Sequence, residues 1–482
     1  MKIIMRKYII IFIAILGLSA CTKDLSDINT NPNAPIDAQP SLLFRKVLFD
    51  YGEQMSFEGF DAGNLLGQYF TMTDFNNFDR HALAEPLYAG NPWPILYRNL
   101  RDNEIVLNKA NESPVFSVYK GPALVMKAYM TAALTDLYGD VPYSEALQGK
   151  SEIFTPKYDQ QEDIYNGANG ILKNLENAVI AMEAYNGTAR LEGDIVYNGN
   201  LQNWVRFANS LRIKLLMRIS DKVNVSSQLQ ALFAGGKYIT NNTQNAVFRF
   251  SATPPNNFRI TTARIGDYNL YIMSKTAEEI LKNYNDPRIS LFYRPTTANP
   301  ANFVGLQNGP DASVTPVTLA NNSLTGRIFR EDGVNLKYNY STAWETNFFL
   351  AEAAQKGLIN SSAKALYDLA VAQGFEYWNV TMPANYLTIG PALFNPASPD
   401  ALKLIITQKW IPNTINGYEG WIEYRRTGFP ELKPVLASRN NGIYPVRMPY
   451  PQEEATLNGE NYQAAAAKTN NNSINAKVWW DN

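Results

Sequence analysis

Few side chains of this sequence could perform catalysis. Its 482 residues include one cysteine, Cys21, and one histidine, His81. A serine nucleophile with a histidine base would have to use His81, and no Gly-x-Ser-x-Gly turn occurs. A two-histidine zinc site is excluded for the same reason. The run Gly235-Gly236-Lys237 lacks the upstream glycine and the following serine or threonine of a phosphate-binding loop.

Pairs of carboxylates remain open as a catalytic arrangement. The chain has 44 Asp and Glu residues, and a glycoside hydrolase needs two carboxylates about 5–10 Å apart. Because no motif supports such a pair, we expect a binding protein and not an enzyme, with no cofactor and no metal site. Whether the protein binds calcium stays open.

Aromatic and planar polar residues alternate in two segments without a helical pattern, residues 70–93 and 257–293. A sugar ring can stack its apolar face on an aromatic ring, while its hydroxyl groups pair with amides, carboxylates or guanidinium groups. Six residues are the predicted glycan contacts: Phe75, Phe78 and Tyr268 for stacking, and Asn77, Arg80 and Asp267 for the hydroxyl groups. Packing of the aromatic residues onto a helical core is the alternative.

The only cysteine closes the run Leu18-Ser19-Ala20-Cys21. Three basic residues precede an apolar stretch, residues 8–18, which is shorter than the roughly 20 residues of a membrane-spanning helix. Small residues before the cysteine suit a signal peptidase. The pattern resembles the lipobox of bacterial lipoproteins, in which the thiol carries diacylglycerol. It predicts a signal peptide over residues 1–20 and lipid attachment at Cys21.

The composition limits the partners of the mature chain. Removing residues 1–20 leaves 482 − 20 = 462 residues, with 40 basic and 44 acidic side chains and a balance of −4. This nearly neutral charge excludes a general nucleic-acid binder. A lone cysteine used for lipid leaves no internal disulfide. The 45% of hydrophobic residues is enough for a large core.

Helical periodicity dominates the chain and predicts a mostly α fold. Residues 21–40 are rich in Asn and Pro and are expected to form a tether. Residues 240–341 contain many prolines and are expected to be irregular, with one helix at 274–284 and short β-like runs such as 246–250 and 326–329. Amphipathic helices are predicted over residues 41–55, 93–110, 122–138, 160–184, 203–219, 274–284, 342–358, 361–378, 399–411 and 418–425. We expect one domain, residues 41–482, with helix-pair blocks at about 93–221 and 342–426.

Several sequence blocks resemble the SusD/RagB family of Bacteroidetes outer-membrane lipoproteins, and they follow the family order over nearly the whole mature chain. The first are Cys21–Leu25 with the Asn-Thr-Asn-Pro-Asn run at 29–33. The others are Asp136–Tyr143, Trp204–Arg212, Phe349–Gly357, Gln408–Trp410, Trp421–Gly428 and Tyr444–Arg447.

The resemblance implies a fold of four tetratricopeptide-like helix pairs packed against an irregular, loop-rich half with a few short strands. It also implies a surface lipoprotein that binds oligosaccharides and delivers them to a SusC-like TonB-dependent barrel for import. The protein would be lipid-anchored in the outer membrane and face the cell surface. The alternatives are capture of oligopeptides, a lipid-anchored hydrolase, and a lipoprotein that binds only protein. Aromatic stacking favours glycan over peptide.

Charged residues within these blocks also have structural interpretations. Glu352 lies in an apolar helical segment, where a buried charge must be paired. Arg425 and Arg426 are expected to bind carboxylates or carbonyls of neighbouring segments. We therefore predict that these residues stabilise helix packing and do not contact ligand.

Overall fold

The computed structural model describes residues 39–86, 88–314 and 316–481, without the side chain of Asn335. The predicted signal peptide, Cys21 and nearly all of the predicted tether lie outside these residues. Within them, no helix is both long and apolar enough to cross a membrane.

Helices make up most of the regular structure. The N-terminal group is α1 (Pro40–Glu58), α2 (Asn64–Leu66), α3 (Trp93–Glu112), α4 (Lys120–Tyr138), α5 (Gln161–Asn166), α6 (Ile171–Glu183), α7 (Leu201–Ile219) and α8 (Ser226–Gly235). The short central helices are α9 (Ile265–Tyr268), α10 (Lys275–Asn283) and α11 (Ile289–Phe292). The C-terminal group is α12 (Ala343–Gln355), α13 (Ala363–Tyr377), α14 (Ala401–Trp410), α15 (Gly417–Thr427), α16 (Gln452–Leu457) and α17 (Gly459–Lys468).

The strands form separate two-stranded antiparallel ladders. They are β1 (Phe70–Met72) with β5 (Tyr271–Met273), β2 (Val141–Pro142) with β3 (Tyr158–Asp159), and β4 (Ala246–Arg249) with β6 (Lys337–Ser341). Each ladder joins segments that are distant in sequence or flank a loop, and none is large enough to form a layer of its own.

Side-chain caps explain where several helices begin. The side chains of Asn200, Ser274, Thr342 and Ser362 each accept a hydrogen bond from a backbone N–H in the first turn of the following helix, as helix N-termini require. At the other end of α4, Gly139 has a φ of 84° and its N–H bonds back to Thr135. The sequence predicted this glycine as the end of the helix.

Consecutive helices pack as pairs. The main contacts join α3 to α4, α4 to α6, α6 to α7 and α12 to α13, and further contacts join α14 to α12 and to α15. One continuous cluster of buried side chains extends from Phe44 to Trp480. The expectation of a mostly helical chain with helix pairs against a loop-rich part is confirmed, while the proposed domain limits stay a prediction.

Two local predictions were wrong. The helix expected over 160–184 is broken into α5 and α6, because the chain turns at Gly167 and Gly170. The strand expected at 326–329 is a 3-10 turn, Arg327–Phe329. Helices α8, α16 and α17 were not predicted, since their apolar faces are short and they bury few side chains.

Candidate functional site

The β1–β5 ladder brings together the two segments that the sequence singled out. Phe70 pairs with Met273 and Met72 with Tyr271. The ladder continues by one bond, from the N–H of Thr73 to the carbonyl of Leu270 at 3.0 Å. Beyond this point the two chains diverge, one toward Phe75 and the other toward Tyr268. Residues 73–81 follow β1 and residues 264–270 precede β5. Because the strands are antiparallel, both segments adjoin the same end of the ladder.

A buried carboxylate fixes the first of these loops. Asp79 is 2% exposed. It accepts hydrogen bonds from the Thr71 hydroxyl at 2.6 Å, the Asn308 amide at 2.6 Å and the Gly309 N–H at 2.8 Å. Burial raises the pKa of Asp79, and these donors partly oppose the shift. The carboxylate thus ties the loop after β1 to the segment around residue 308.

Phe75 lies at the tip of this fixed loop. Its side chain is 64% exposed and its φ is 52°, in the left-handed region that bulky residues seldom adopt. Such backbone conformations cost on the order of 1–3 kcal/mol and persist where the surrounding structure holds them. The fold therefore keeps an aromatic ring in water at a backbone position that disfavours it.

Asn77 and Arg80 lie on the same loop and are both in polar contacts. The Asn77 amide donates to Glu85 at 2.9 Å, and Glu85 also pairs with Arg439 at 2.8 Å. Arg80 donates to the carbonyl of Ala437 at 2.8 Å and pairs with Asp311 at 3.3 Å. The Asn77 side chain is exposed and that of Arg80 is half-buried. Their hydrogen bonds and ion pair hold the amide and the guanidinium group at the surface.

Phe78 and Tyr268 are covered by their surroundings. Phe78 is 5% exposed and Tyr268 is 1% exposed. A methyl group at Gly90 would lie 2.6 Å from the Phe78 ring, so loop and ring are closely packed. The Tyr268 hydroxyl donates to the carbonyl of Gly326 at 2.6 Å. In this structure neither ring offers a free face for stacking, and packing, the alternative left open by the sequence, describes both residues.

Asp267 faces solvent in an ion pair with Arg264, at 2.8 Å. Tyr88, which is 53% exposed, lies close enough to interact electrostatically with both Arg264 and Tyr271. Tyr88 therefore lies near the Arg264–Asp267 ion pair. We use the term two-loop surface for the exposed side chains Phe75, Asn77, Tyr88, Arg264 and Asp267.

Two buried carboxylates support the loop that carries Tyr88. Glu58 accepts from the N–H of Gly90 at 2.8 Å and from the Tyr418 hydroxyl at 2.9 Å. Asp61 accepts from the Tyr271 hydroxyl. Burial raises the pKa of Glu58 to about 7 and that of Asp61 to about 6. These groups position the loop and do not reach the surface, since both are about 5% exposed or less.

Tyr88, Glu58 and Asp61 are not among the residues that the sequence pattern predicts for this site. Tyr88 lies inside the predicted segment 70–93, but it stands apart from the aromatic run at 75–78. The two carboxylates belong to the run Glu58-Gly59-Phe60-Asp61, where acidic residues among apolar and glycine neighbours are the available signal of buried charge.

The single histidine of the chain does not lie at this surface. His81 is buried, with its ring edge-on to Tyr444 at 4.8 Å, and burial lowers its pKa to about 4. It is therefore neutral at pH 7 and shielded from a substrate. In the described part of the chain, no group of three or more His, Cys, Asp or Glu residues is placed to hold a metal ion. Exposed rings beside planar polar groups are suited to binding a neutral polar chain.

Comparison with known proteins assigns the chain to a class. Residues 32–451 match the SusD-like family model described as starch-binding and associating with the outer membrane. The chain belongs to this SusD-like family, which confirms the resemblance seen in the sequence. The family description places its members at the outer membrane. No curated protein matches the sequence.

Solved structures share the fold over nearly the whole chain. A chitin-binding protein is 26% identical with a TM-score of 0.76, over 92% of this chain and 100% of its own. A chitin-binding SusD homologue from Flavobacterium johnsoniae is 23% identical with a TM-score of 0.74, over 92% and 97%. A SusD homologue from Bacteroides fragilis is 21% identical with a TM-score of 0.79, over 92% and 100%.

Proposed function

We propose that this protein binds oligosaccharides at the two-loop surface and delivers them to a SusC-like TonB-dependent barrel for import, without catalysing a reaction. The single observation that carries the proposal is Phe75, an exposed ring held in a disfavoured backbone conformation by a loop that a buried aspartate fixes. A ring that only filled space would be covered, as Phe78 is. The family description and the chitin-binding relatives support a glycan as the ligand.

Residues of the two-loop surface, together with the neighbouring Arg80, have proposed roles. Phe75 and Tyr88 stack on the apolar faces of sugar rings. Asn77, Arg80 and Asp267 pair with hydroxyl groups, for which their planar polar groups are suited. Phe78 and Tyr268 act beneath the surface, where their packing holds the two loops in place. Binding a peptide is the alternative function, because amides and guanidinium groups can also pair with a peptide backbone.

The proposed location of the protein depends on the lipid anchor predicted at Cys21. A lipid on Cys21 would hold the protein at the outer membrane, facing the cell surface, and leave the two-loop surface free for ligand. A single acyl chain anchors weakly, at about 0.8 kcal/mol per buried methylene, so several chains are needed for firm attachment. The barrel partner would contact the helix pairs, as the resemblance to the family implies.

Alanine substitutions test the ligand surface. We expect Phe75→Ala and Tyr88→Ala each to weaken glycan binding about thirtyfold, as loss of an anchoring side chain at a binding centre typically does. Their melting temperatures should hardly change, because both side chains are more than half exposed. Calorimetry with chito- and malto-oligosaccharides measures binding, and a thermal scan measures stability.

Two matched variants complete the experiment. Phe154→Ala removes another exposed phenylalanine, 74% exposed and remote in sequence from both loops, and should leave binding unchanged. Phe78→Ala should destabilise the fold by about 3–5 kcal/mol, as expected for a buried phenylalanine. The proposal fails if Phe75→Ala and Tyr88→Ala bind every glycan as the wild type does. Binding of peptides but of no glycan would establish the alternative.

A further inference from the structure

A second concave surface lies apart from the two-loop surface and shares no residue with it. It is a cleft of about 830 Å³ between the N-terminal half of α1, the loop before α7, and β4 with the loop that follows. We call it the amide cleft. Its lining is Arg45, Phe49, Asp194–Asn198, Asn203, Asn242, Thr243, Asn245, Val247–Ser251 and Asn256. Its size is within the range of small-molecule sites.

Phe49 supplies the apolar surface of the cleft. Its side chain is half-buried, whereas Phe248 and Phe250 are buried beneath it. The rings of Phe49 and Phe248 are 5.2 Å apart and meet edge to face at 82°. Phe248 and Phe250 are 5.0 Å apart at 74°. These edge-to-face contacts hold the Phe49 ring in place.

The cleft carries uncompensated positive charge. Arg45 and Arg249 are exposed, and among the residues that the structure describes, neither side chain forms an ion pair or a hydrogen bond. The one lining carboxylate, Asp194, is already occupied. It accepts from the N–H groups of Val196 and Gly199, both at 2.9 Å, and from the Trp204 indole at 2.8 Å.

Arg249 also faces a like charge across the ladder. Its direct partner in the β4–β6 register is Lys337, and like charges directly opposite on a sheet are destabilising. Lys337 lies 4.7 Å from the centre of the Tyr377 ring, and among the described residues neither Lys337 nor Arg249 forms an ion pair with a carboxylate. An anion in the cleft beside Arg249 would relieve this repulsion.

Amide groups supply the remaining polar surface. Within the described chain, the side chains of Asn198 and Asn256 make no hydrogen bond, so their donors and acceptors are available to a ligand. A ligand that matches the cleft has negative charge for the arginines, an apolar face for the Phe49 ring and hydroxyl groups for the amides. An inorganic anion would use only the first of these features, and an unmodified neutral glycan would leave the arginines unpaired.

We propose that the amide cleft binds an acidic oligosaccharide, with uronate carboxylates on Arg45 and Arg249 and ring hydroxyls on the asparagine amides. This is a second binding site, and it does not depend on the function proposed for the two-loop surface. Because the guanidinium groups are exposed, the interaction is screened by salt.

Uronate trisaccharides and their methyl esters test the site, because esterification removes the charge and keeps the ring and its hydroxyls. With galacturonate, glucuronate and mannuronate trisaccharides in calorimetry, we expect at least one acid to bind tenfold or more tightly than its ester, and less tightly as salt is added. Arg45→Ala and Arg249→Ala should each weaken that binding tenfold or more. Their melting temperatures should equal that of the wild type, since both side chains are exposed.

Two further variants make the result specific. Lys222→Ala removes an exposed positive charge elsewhere, at the end of α7, and should leave binding unchanged. Phe75→Ala should also leave it unchanged. The proposal is overturned if no acid binds more tightly than its ester, if Lys222→Ala weakens binding as much as the arginine variants, or if Phe75→Ala abolishes binding that the arginine variants retain.

Discussion

At the scale of single residues, burial distinguishes an exposed ring from a packed ring within one loop. Phe75 and Phe78 are three positions apart and have the same side chain, but the first is 64% exposed and the second 5%. Sequence identifies both as candidates, since it shows residue type and spacing. The sequence does not show that Phe78 packs against Gly90. That contact depends on the path of the chain between Phe78 and the start of α3.

Buried Glu58 gives the protein a specific pH dependence. Burial raises its pKa from 4.5 to about 7, so between these values the folded state holds a proton that the unfolded chain releases. The stability from this carboxyl group is therefore fully present below pH 4.5 and is lost as the pH rises through about 7. We expect Glu58→Gln to raise the free energy of unfolding at pH 8 by up to about 3 kcal/mol.

The measurement is urea unfolding of wild type and Glu58→Gln from pH 4.5 to pH 8. The difference in the free energy of unfolding between the two proteins should decrease toward pH 4.5, since the wild-type side chain is then also uncharged. Glu152→Gln, at an exposed carboxylate, is the control and should follow the wild type throughout. A constant difference between wild type and Glu58→Gln at all pH values would contradict the assignment.

At the scale of elements, buried ion pairs join the helices of the C-terminal group to α7. Arg426 on α15 holds Glu352 on α12 at 2.6 and 2.7 Å. Lys409 on α14 pairs with Glu423 at 2.5 Å, and Arg218 on α7 pairs with Glu419 at 2.6 Å. Burial raises the pKa of Glu352, but the guanidinium more than offsets it, so the pKa lies below its ordinary value. The packing role predicted for Glu352 and Arg426 is confirmed.

We expect Arg426→Ala to destabilise the protein by about 3–5 kcal/mol, because it leaves the Glu352 carboxylate buried without its main partner. Urea unfolding at pH 7 measures the effect. Lys364→Ala is the matched control, since its ion pair with Asp368 joins side chains that are 43% and 33% exposed. Its loss should change stability by at most about 1 kcal/mol. Equal losses of stability in the two variants would show that the buried ion pair stabilises the protein no more than the exposed one.

The sequence predicts the positions of single helices better than it predicts which distant segments come into contact. Helices with long apolar faces, such as α4 and α7, were predicted within two or three residues, because periodicity and capping residues are local signals. The break between α5 and α6 was missed, since its two glycines lie within an otherwise helical pattern. The pairing of β1 with β5 was also missed, since the two strands are far apart in sequence and are three residues each.

At the scale of the whole molecule, membrane fractionation tests the lipid anchor, and copurification tests the barrel partner. We expect Cys21→Ala to release the protein from the membrane fraction, because no other acylation site is expected and no described helix can span a membrane. The wild type, extracted in mild detergent, should copurify with a large β-barrel protein. Cys21→Ser is the matched variant and should behave like alanine, since its oxygen does not replace the thiol. A variant that stays in the membrane with its lipid mass would contradict the lipid anchor.

The contact between Trp480 and α4 has a consequence for the order of folding. The Trp480 indole donates to the carboxylate of Asp136 at 2.8 Å across 344 positions, and Asp481 pairs with Arg425 at 3.2 Å. A ribosome makes α4 long before it makes residue 480, so Asp136 must wait for one of its partners through 344 further positions. Contacts of such long sequence separation form slowly. The nascent chain can therefore build individual helix pairs early, but it completes its charged interior only after residue 480 has been made.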